Sequence, residues 1–428
     1  MNMHLPSPVQ RFTFQQLYWD VFWFGVLQGS AMAFLSVYAA RVGGTAFQIA
    51  LLTSGPAVIN LFFSLPAGRW LEKRPVTAAA FQTALWQRAG YLALVPLPWL
   101  LPDAAQAWAL PGLVVLMSIP GTALAIAFNA MFADVVAPEW RAHVVGRRNA
   151  LLAISSTAAS LACGQVLDRL VFPLNYQVVF LIGAVGAGLS TFYLGRVQAP
   201  SVLPPRVGRA LLDDARPGAV PRIGDALRQY LGLRFLTRAG AGRLLRLDLL
   251  RGPFGPVMAA YLAFYASQYM SIPLMPVYWV NELRLTDGEI SIGNALFYGT
   301  LLVASLWLAP LSARLGHRRI LILGALFFGL YPVFNAAAWD ATLYYLASGV
   351  GGVVWALTGA GLVNRLMEHV PENDRPAHMA LHNLALNLGI LLGSLLGPTL
   401  GDWQGLRTAL LAAGLLRGLA AVLLAVWA

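Results

Sequence analysis

A chain of 428 residues in which 58% are hydrophobic and 11% are charged, with a mean hydropathy of +0.65, falls far below the roughly 25% charge of a soluble domain. That excludes a soluble enzyme of ordinary make-up and, because hydrophobicity is high, a disordered chain. The formal net charge of +11 rests on 28 arginines and the single Lys73, most of them in loops between apolar runs, which argues against a nucleic-acid partner.

Met1 to Arg11 is short and polar and lacks a cleavable signal pattern. Apolar runs follow at about 14–40, 45–68, 76–101, 108–133, 147–170, 175–196, 254–281, 287–312, 319–337, 341–366, 378–401 and 405–428. At roughly 20 residues per crossing, they predict an all-α membrane protein of twelve transmembrane helices. Barrel strands are excluded, since the runs are too long and do not alternate.

One set of loops carries 23 basic residues and the other carries four, Arg41, Arg169, Arg284 and Arg407. The positive-inside rule then places both termini in the cytoplasm and the chain in the inner membrane. Ten arginines fall in the one long connection, which divides the chain into residues 1–196, a linker 197–253 and residues 254–428. Within the linker, Ile223 to Leu250 reads either as amphipathic helix on the anionic leaflet or as a solvated connection.

The first run holds Asp20, a charge at membrane depth and hence a functional candidate. It is the first choice for a proton-coupling group, the alternative being a cap near the interface. Gln28 follows in the same run, and Asn60 in the second. Arg88 lies halfway along the third run; it can hold an anionic group, pair with Asp20 or pin helices through carbonyls. The single cysteine, Cys163, excludes a disulfide framework. The seventh run carries Gln268 and a stripe of Tyr261, Tyr265 and Tyr269. With Phe22, Trp23 and Phe24 these tyrosines could line an apolar cavity or simply pack. Asn294 and Tyr298, Thr358 and Asn387 complete the polar candidates for a cavity. Gly389, Gly393 and Gly397 give the eleventh run a smooth face for close packing. His378 and His382 stand one turn apart but lack further metal ligands, so no metal site is read. No cofactor motif and no catalytic constellation stands out, and the absence of a phosphate-binding Gly-rich loop argues against ATP drive.

The halves repeat. Asp134, Arg141, Arg148, Asn149 and Asp168 match Glu368, Arg375, His382, Asn383 and Asp402 at a constant offset of 234 residues. Gln28, Val37 and Tyr38 match Gln268, Val277 and Tyr278 at an offset of 240. Repeated six-helix halves are the architecture of a transporter that rocks about a central site.

Between the second and third runs, Gly68-Arg69-Trp70-Leu71-Glu72-Lys73-Arg74 resembles the signature loop of the major facilitator superfamily, with Glu for Asp and Pro75 where a second glycine is usual. The corresponding loop of the second half, Ala313-Arg314-Leu315-Gly316-His317-Arg318-Arg319, keeps the Arg, the Gly and the basic end but has Ala313 in the acidic position. The resemblance implies a twelve-helix, drug/proton-antiporter-like secondary transporter, although the fifth run lacks the Gly-Pro motif usual in antiporters. It implies a cytoplasmic latch of Gly68, Glu72, Lys73, Arg74, Asp134 and Arg141 in one half and Arg314, Gly316, Arg318, Glu368 and Arg375 in the other. It further implies proton-coupled efflux of a lipophilic or amphipathic small molecule by a monomer in the lipid bilayer, with protons as the second ligand. Uptake, lipid or peptide transport, or a non-transporting assembly or sensing role are the alternatives.

Overall fold

The computed structural model describes residues 8–71, 74–198, 246–371 and 375–427. Twelve long helical segments run through these residues. In the first half they are α1 (Pro8–Arg41), α2 (Ala46–Leu71), α3 (Val76–Leu94), α4 (Asp103–Val135), α5 (Pro138–Arg169) and α6 (Leu174–Gly195). In the second they are α7 (254–282), α8 (Asp287–Leu315), α9 (His317–Ala337), α10 (Ala341–His369), α11 (Arg375–Gln404) and α12 (Leu406–Trp427). Ten of the twelve are individually long and apolar enough to cross a bilayer. The other two have visible reasons to fall short. Helix α3 carries Gln82, Gln87 and Arg88, and α7 breaks after Ser271, at Ile272-Pro273, where proline supplies no N–H.

The helix ends follow from local chemistry. Thr286 and Glu289 form a reciprocal capping box at the start of α8, and the Asp340 carboxylate accepts from the Leu343 amide at the start of α10. Gly316 ends α8 at a φ of 79°, a backbone state that disfavours any residue with a Cβ. Helix α5 begins at Pro138, well before the apolar run that starts near residue 147, because its first turns are polar and continue beyond the apolar segment.

The same helix pairings recur in both halves. Helix α1 packs on α5 and α6, α3 on α4 and α6, and α2 on α4. Correspondingly, α7 packs on α11 and α12, α9 on α10 and α12, and α8 on α10. Between the halves, α2 meets α11 and α5 meets α8, which are again matching pairs. Each seam has a hydrogen bond: Thr53 and Ser394 hydroxyls lie 2.9 Å apart, and Ser291 donates to the Ser160 carbonyl at 2.6 Å.

The outward surface is apolar, as a lipid-facing surface must be. Trp99, Trp108, Trp339 and Trp403 are exposed, each near a turn on the sparsely charged side, where indole rings mark the membrane–water boundary. The linker helix expected over 223–250 falls mostly outside the described residues; Leu247–Arg251 forms one short 3₁₀ turn ahead of α7.

Candidate functional site

Two adjoining cavities, or lobes, lie between the halves. The first, about 510 Å³, is bounded mainly by α1 to α4, with Asn60, Gln87, Tyr91 and Thr122 among its polar walls. The second, about 430 Å³, is bounded by α7 to α10 and α12 and carries Gln268, Tyr298 and Arg417 beside Trp279, Phe297 and Trp355. Met32, Ser36 and Ile272 line both, so the lobes adjoin between α1 and α7.

Asp20 and Arg88 do meet, but away from this space. Arg88 on α3 and Arg148 on α5 each approach one oxygen of the Asp20 carboxylate at 3.5 Å. The Ser190 hydroxyl on α6 donates to Asp20 Oδ1 at 2.7 Å, and Arg88 lies 3.4 Å from the Thr191 hydroxyl. The guanidinium of Arg148 covers the Phe128 ring of α4 at 4.6 Å, and that of Arg88 faces Phe24 at 5.6 Å. One buried carboxylate therefore ties five helices of the first half through two cations. Protonating it would leave both guanidiniums without a counter-charge in a low-dielectric interior, which is costly. The arrangement is that of a structural clasp.

The second half holds a different charge. Arg417 on α12 is 1% exposed. It donates to the Phe328 carbonyl at 3.0 Å, to the Gln268 carbonyl at 3.0 Å and to the Ser271 hydroxyl at 2.9 Å. Its guanidinium lies 4.3 Å from the Phe328 ring. Among the described residues no carboxylate pairs with it. The place of Arg417 deep in the apolar run 405–428 is the signal that marks it in the sequence.

The remaining candidates divide. Asn60, Gln268, Asn294 and Tyr298 line the cavity, and Tyr298 meets Gln28 across the gap. Thr358 does not: it is fully buried, donates to the Val354 carbonyl and packs against Gly324 at the α9–α10 seam. Asn387 is spent within its own helix on the Asn383 carbonyl at 2.8 Å. For α3 it is Gln87, one residue before Arg88, that faces the cavity. Of the tyrosine stripe, Tyr269 lines the cavity, whereas Tyr261 donates to the Leu362 carbonyl and Tyr265 bonds His382, both at 2.9 Å. His378 meets Phe254 edge to face, and among the described residues no group of three or more metal-ligating side chains occurs.

The space is sealed on the sparsely charged side. Arg41, ending α1, donates to Asp287 at 3.0 Å and to the Leu285 carbonyl at 2.6 Å. The Gly288 amide donates to Asp168, ending α5, at 2.9 Å. Gly164 and Gly288 permit this approach, since a Cβ at either would meet Ser291 or Asp168 within 2.5 Å.

On the basic side, Arg141, Arg318, Glu368 and Arg74 have partners within their own halves. Arg141 donates to the Ala133 and Val136 carbonyls and closes the end of α4. Arg318, starting α9, donates to the Ala425 carbonyl at 2.6 Å near the end of α12. Arg365 pairs with Glu368, and Arg74 lies over Trp70. Gly68 lies in the last turn of α2, and Asp134 and Arg314 are exposed at the ends of α4 and α8. Glu72, Lys73 and the side chain of Arg375 lie outside the described residues.

Comparison with known proteins agrees with this geometry. The sequence profile of the Major Facilitator Superfamily matches residues 257–428. No curated protein sequence matches the chain. Among solved structures, a bacterial homologue of the iron transporter ferroportin in an inward-facing state is similar at a TM-score of 0.70 and 17% identity, over 99% of each chain. The nucleoside transporter NupG gives 0.67 at 11% identity, over 97% of this chain and 98% of that one. A POT family transporter in complex with 5-aminolevulinic acid gives 0.64 at 13% identity, over 97% and 95%. At such identities the likeness is one of fold.

Proposed function

We propose that this chain, which has the fold of the major facilitator superfamily along its length, is a secondary transporter that moves a small amphipathic molecule by alternating access. The observation that carries this reading is the two-lobed space between the halves, sealed at one end by Arg41–Asp287 and Asp168–Gly288. With the basic side in the cytoplasm, this form opens inward, and in an export cycle it is the form that takes up cargo from inside. The arginines of the basic side then hold each half rigid while the halves tilt. Asp20 supplies the counter-charge that keeps the first half in one piece, and the cycle does not run through its protonation.

The seal is built to open. Arg41 and Asp287 side chains are 26% and 10% exposed, and such a partly exposed pair contributes about 1 kcal/mol. Removing it with Arg41→Gln is expected to shift the population toward the form open on the sparsely charged side by about fivefold. Electron–electron distance measurements between spin labels placed on either side of that seal read the shift directly. Single cysteines at Ser36, in a Cys163→Ser background, should become reactive to an impermeant maleimide from that side in the same variant. Ser36 reached from one side only, with an unchanged distance distribution in Arg41→Gln, would refute the proposal.

A further inference from the structure

The cavity has an unusual charge balance. Among the described residues, the two lobes are lined by a single side chain of permanent charge, Arg417, and by no carboxylate. A cation at membrane depth is expensive and is normally paired. The first half obeys this rule, with Asp20 serving two arginines. Arg417 instead is held by two types of neutral partner, backbone carbonyls on α7 and α9 and the Ser271 hydroxyl. These solvate a guanidinium without neutralising it.

The donors are also not used up. A guanidinium has five N–H groups. One Nη1 hydrogen goes to Phe328, and the Nη2 pair is shared among Ser267, Gln268 and Ser271. Nε has no partner, and one Nη1 hydrogen remains. In the same wall, Gln268 Oε1 is buried without a partner as well. A site with two vacant cationic donors and one vacant acceptor, walled by Trp279, Phe297, Tyr331 and Trp355, specifies its occupant.

We infer that the second lobe is an organic-anion site: Arg417 receives a carboxylate or similar anionic group, Gln268 accepts from an N–H or O–H of the same molecule, and the aromatic walls hold an aromatic or apolar body. This rests on the transporter reading for its purpose and names the class of cargo. Arginine's fixed positive charge and remaining N–H donors suit a carboxylate, and aromatic walls with few polar groups set orientation in ligand sites of this size. Of the three roles open to Arg88 in the sequence, the geometry realises the pairing with Asp20, which leaves the anionic contact to Arg417.

A competing role for Arg417 is that of a strut pinning α7, α9 and α12, and the two roles predict different responses to ligand charge. Isothermal titration of the purified full chain uses 4-hydroxyphenylacetate, its neutral amide 4-hydroxyphenylacetamide, and inorganic phosphate, at matched ionic strength. The acid is expected to bind roughly ten- to hundredfold more tightly than the amide, the discrimination of a charge-assisted hydrogen bond, and phosphate not to bind. Arg417→Lys should keep a reduced preference for the acid, and Arg417→Gln should bind acid and amide equally. Equal binding of acid and amide to the unmodified chain, binding of phosphate alone, or failure of both organic probes to bind would overturn the inference, and so would an undiminished preference in Arg417→Gln. The comparison on the unmodified chain needs no variant to fold. The spin-label and cysteine measurements need no ligand, so they can succeed while this assignment fails.

Discussion

Asp20→Asn should destabilise the first half by about 3–5 kcal/mol, the cost of stranding buried charge when one partner of an ion pair is removed. Asparagine keeps the size of the side chain and can still accept from Ser190, so little but the negative charge is lost. Arg88 and Arg148 would then face each other across a neutral group, their side chains 7% and 16% exposed. The apparent melting temperature in detergent should fall by about 10 °C, at a few degrees per kcal/mol for a unit of this size. Removing one cation as well, with Asp20→Asn/Arg88→Met, should recover at least half of the loss. The remaining Arg148 still has the Phe128 and Phe132 faces and some access to solvent. The non-additivity is the diagnostic, because groups in one network couple strongly. A carboxylate that served to carry protons would behave differently. Asp20→Asn would then melt near the unmodified temperature and lose flux driven by a pH gradient, and that result would replace the clasp with the proton-carrier role.

The legibility of this clasp in the sequence was partial for a definite reason. The apolar run of α5 begins near residue 147, so Arg147 and Arg148 read as loop charges. In the structure α5 begins at Pro138, which places Arg148 about three turns into a helix and within reach of Asp20. Hydrophobicity reports where lipid begins; it does not report where a helix begins. The twelve helical segments were legible because each is an extended apolar run, ten of them long and apolar enough to cross unaided, and the repeat was legible because matching residues keep a fixed spacing. The list of cavity residues was less so. Polar type says that a side chain needs a partner, and not whether the partner is a ligand or the next helix. Asn60 and Asn294 face the gap, whereas Thr358 faces Gly324 and Asn387 turns back on Asn383. Arg417 was visible as a lone mid-span cation, yet its importance depends on what does not surround it, which only the packing of α7, α9 and α12 reveals.

The glycine face of α11 leads to the other large effect. Gly389, Gly393 and Gly397 bring α11 against the backbone of α7. A Cβ at Gly393 would lie 2.1 Å from the Ala266 carbonyl oxygen, and one at Gly397 would lie 2.1 Å from that of Met270. Neither obstacle is the end of a flexible side chain, so one helix must move. Gly393→Ala is therefore expected to cost about 3 kcal/mol, the upper range for overpacking a tight interior, although alanine is the better helix former by about 1 kcal/mol. The control is Gly188→Ala on α6, where a Cβ meets nothing within 4 Å; there the propensity gain stands alone and the melting temperature should hold or rise. The two substitutions add the same methyl group to a helical glycine, so opposite signs isolate contact from propensity. The displacement has a functional reading too. Helix α7 presents Ser267, Gln268 and Ser271 to Arg417, and the backbone of Met270, in the same turn, lies against Gly393 and Gly397 of α11. Pushing α7 away from α11 should spoil that cradle, so Gly393→Ala should weaken binding of 4-hydroxyphenylacetate by more than its loss of folded protein accounts for. Equal melting temperatures for Gly393→Ala and Gly188→Ala would show that the α7–α11 seam yields without strain and is not what fixes the cavity wall.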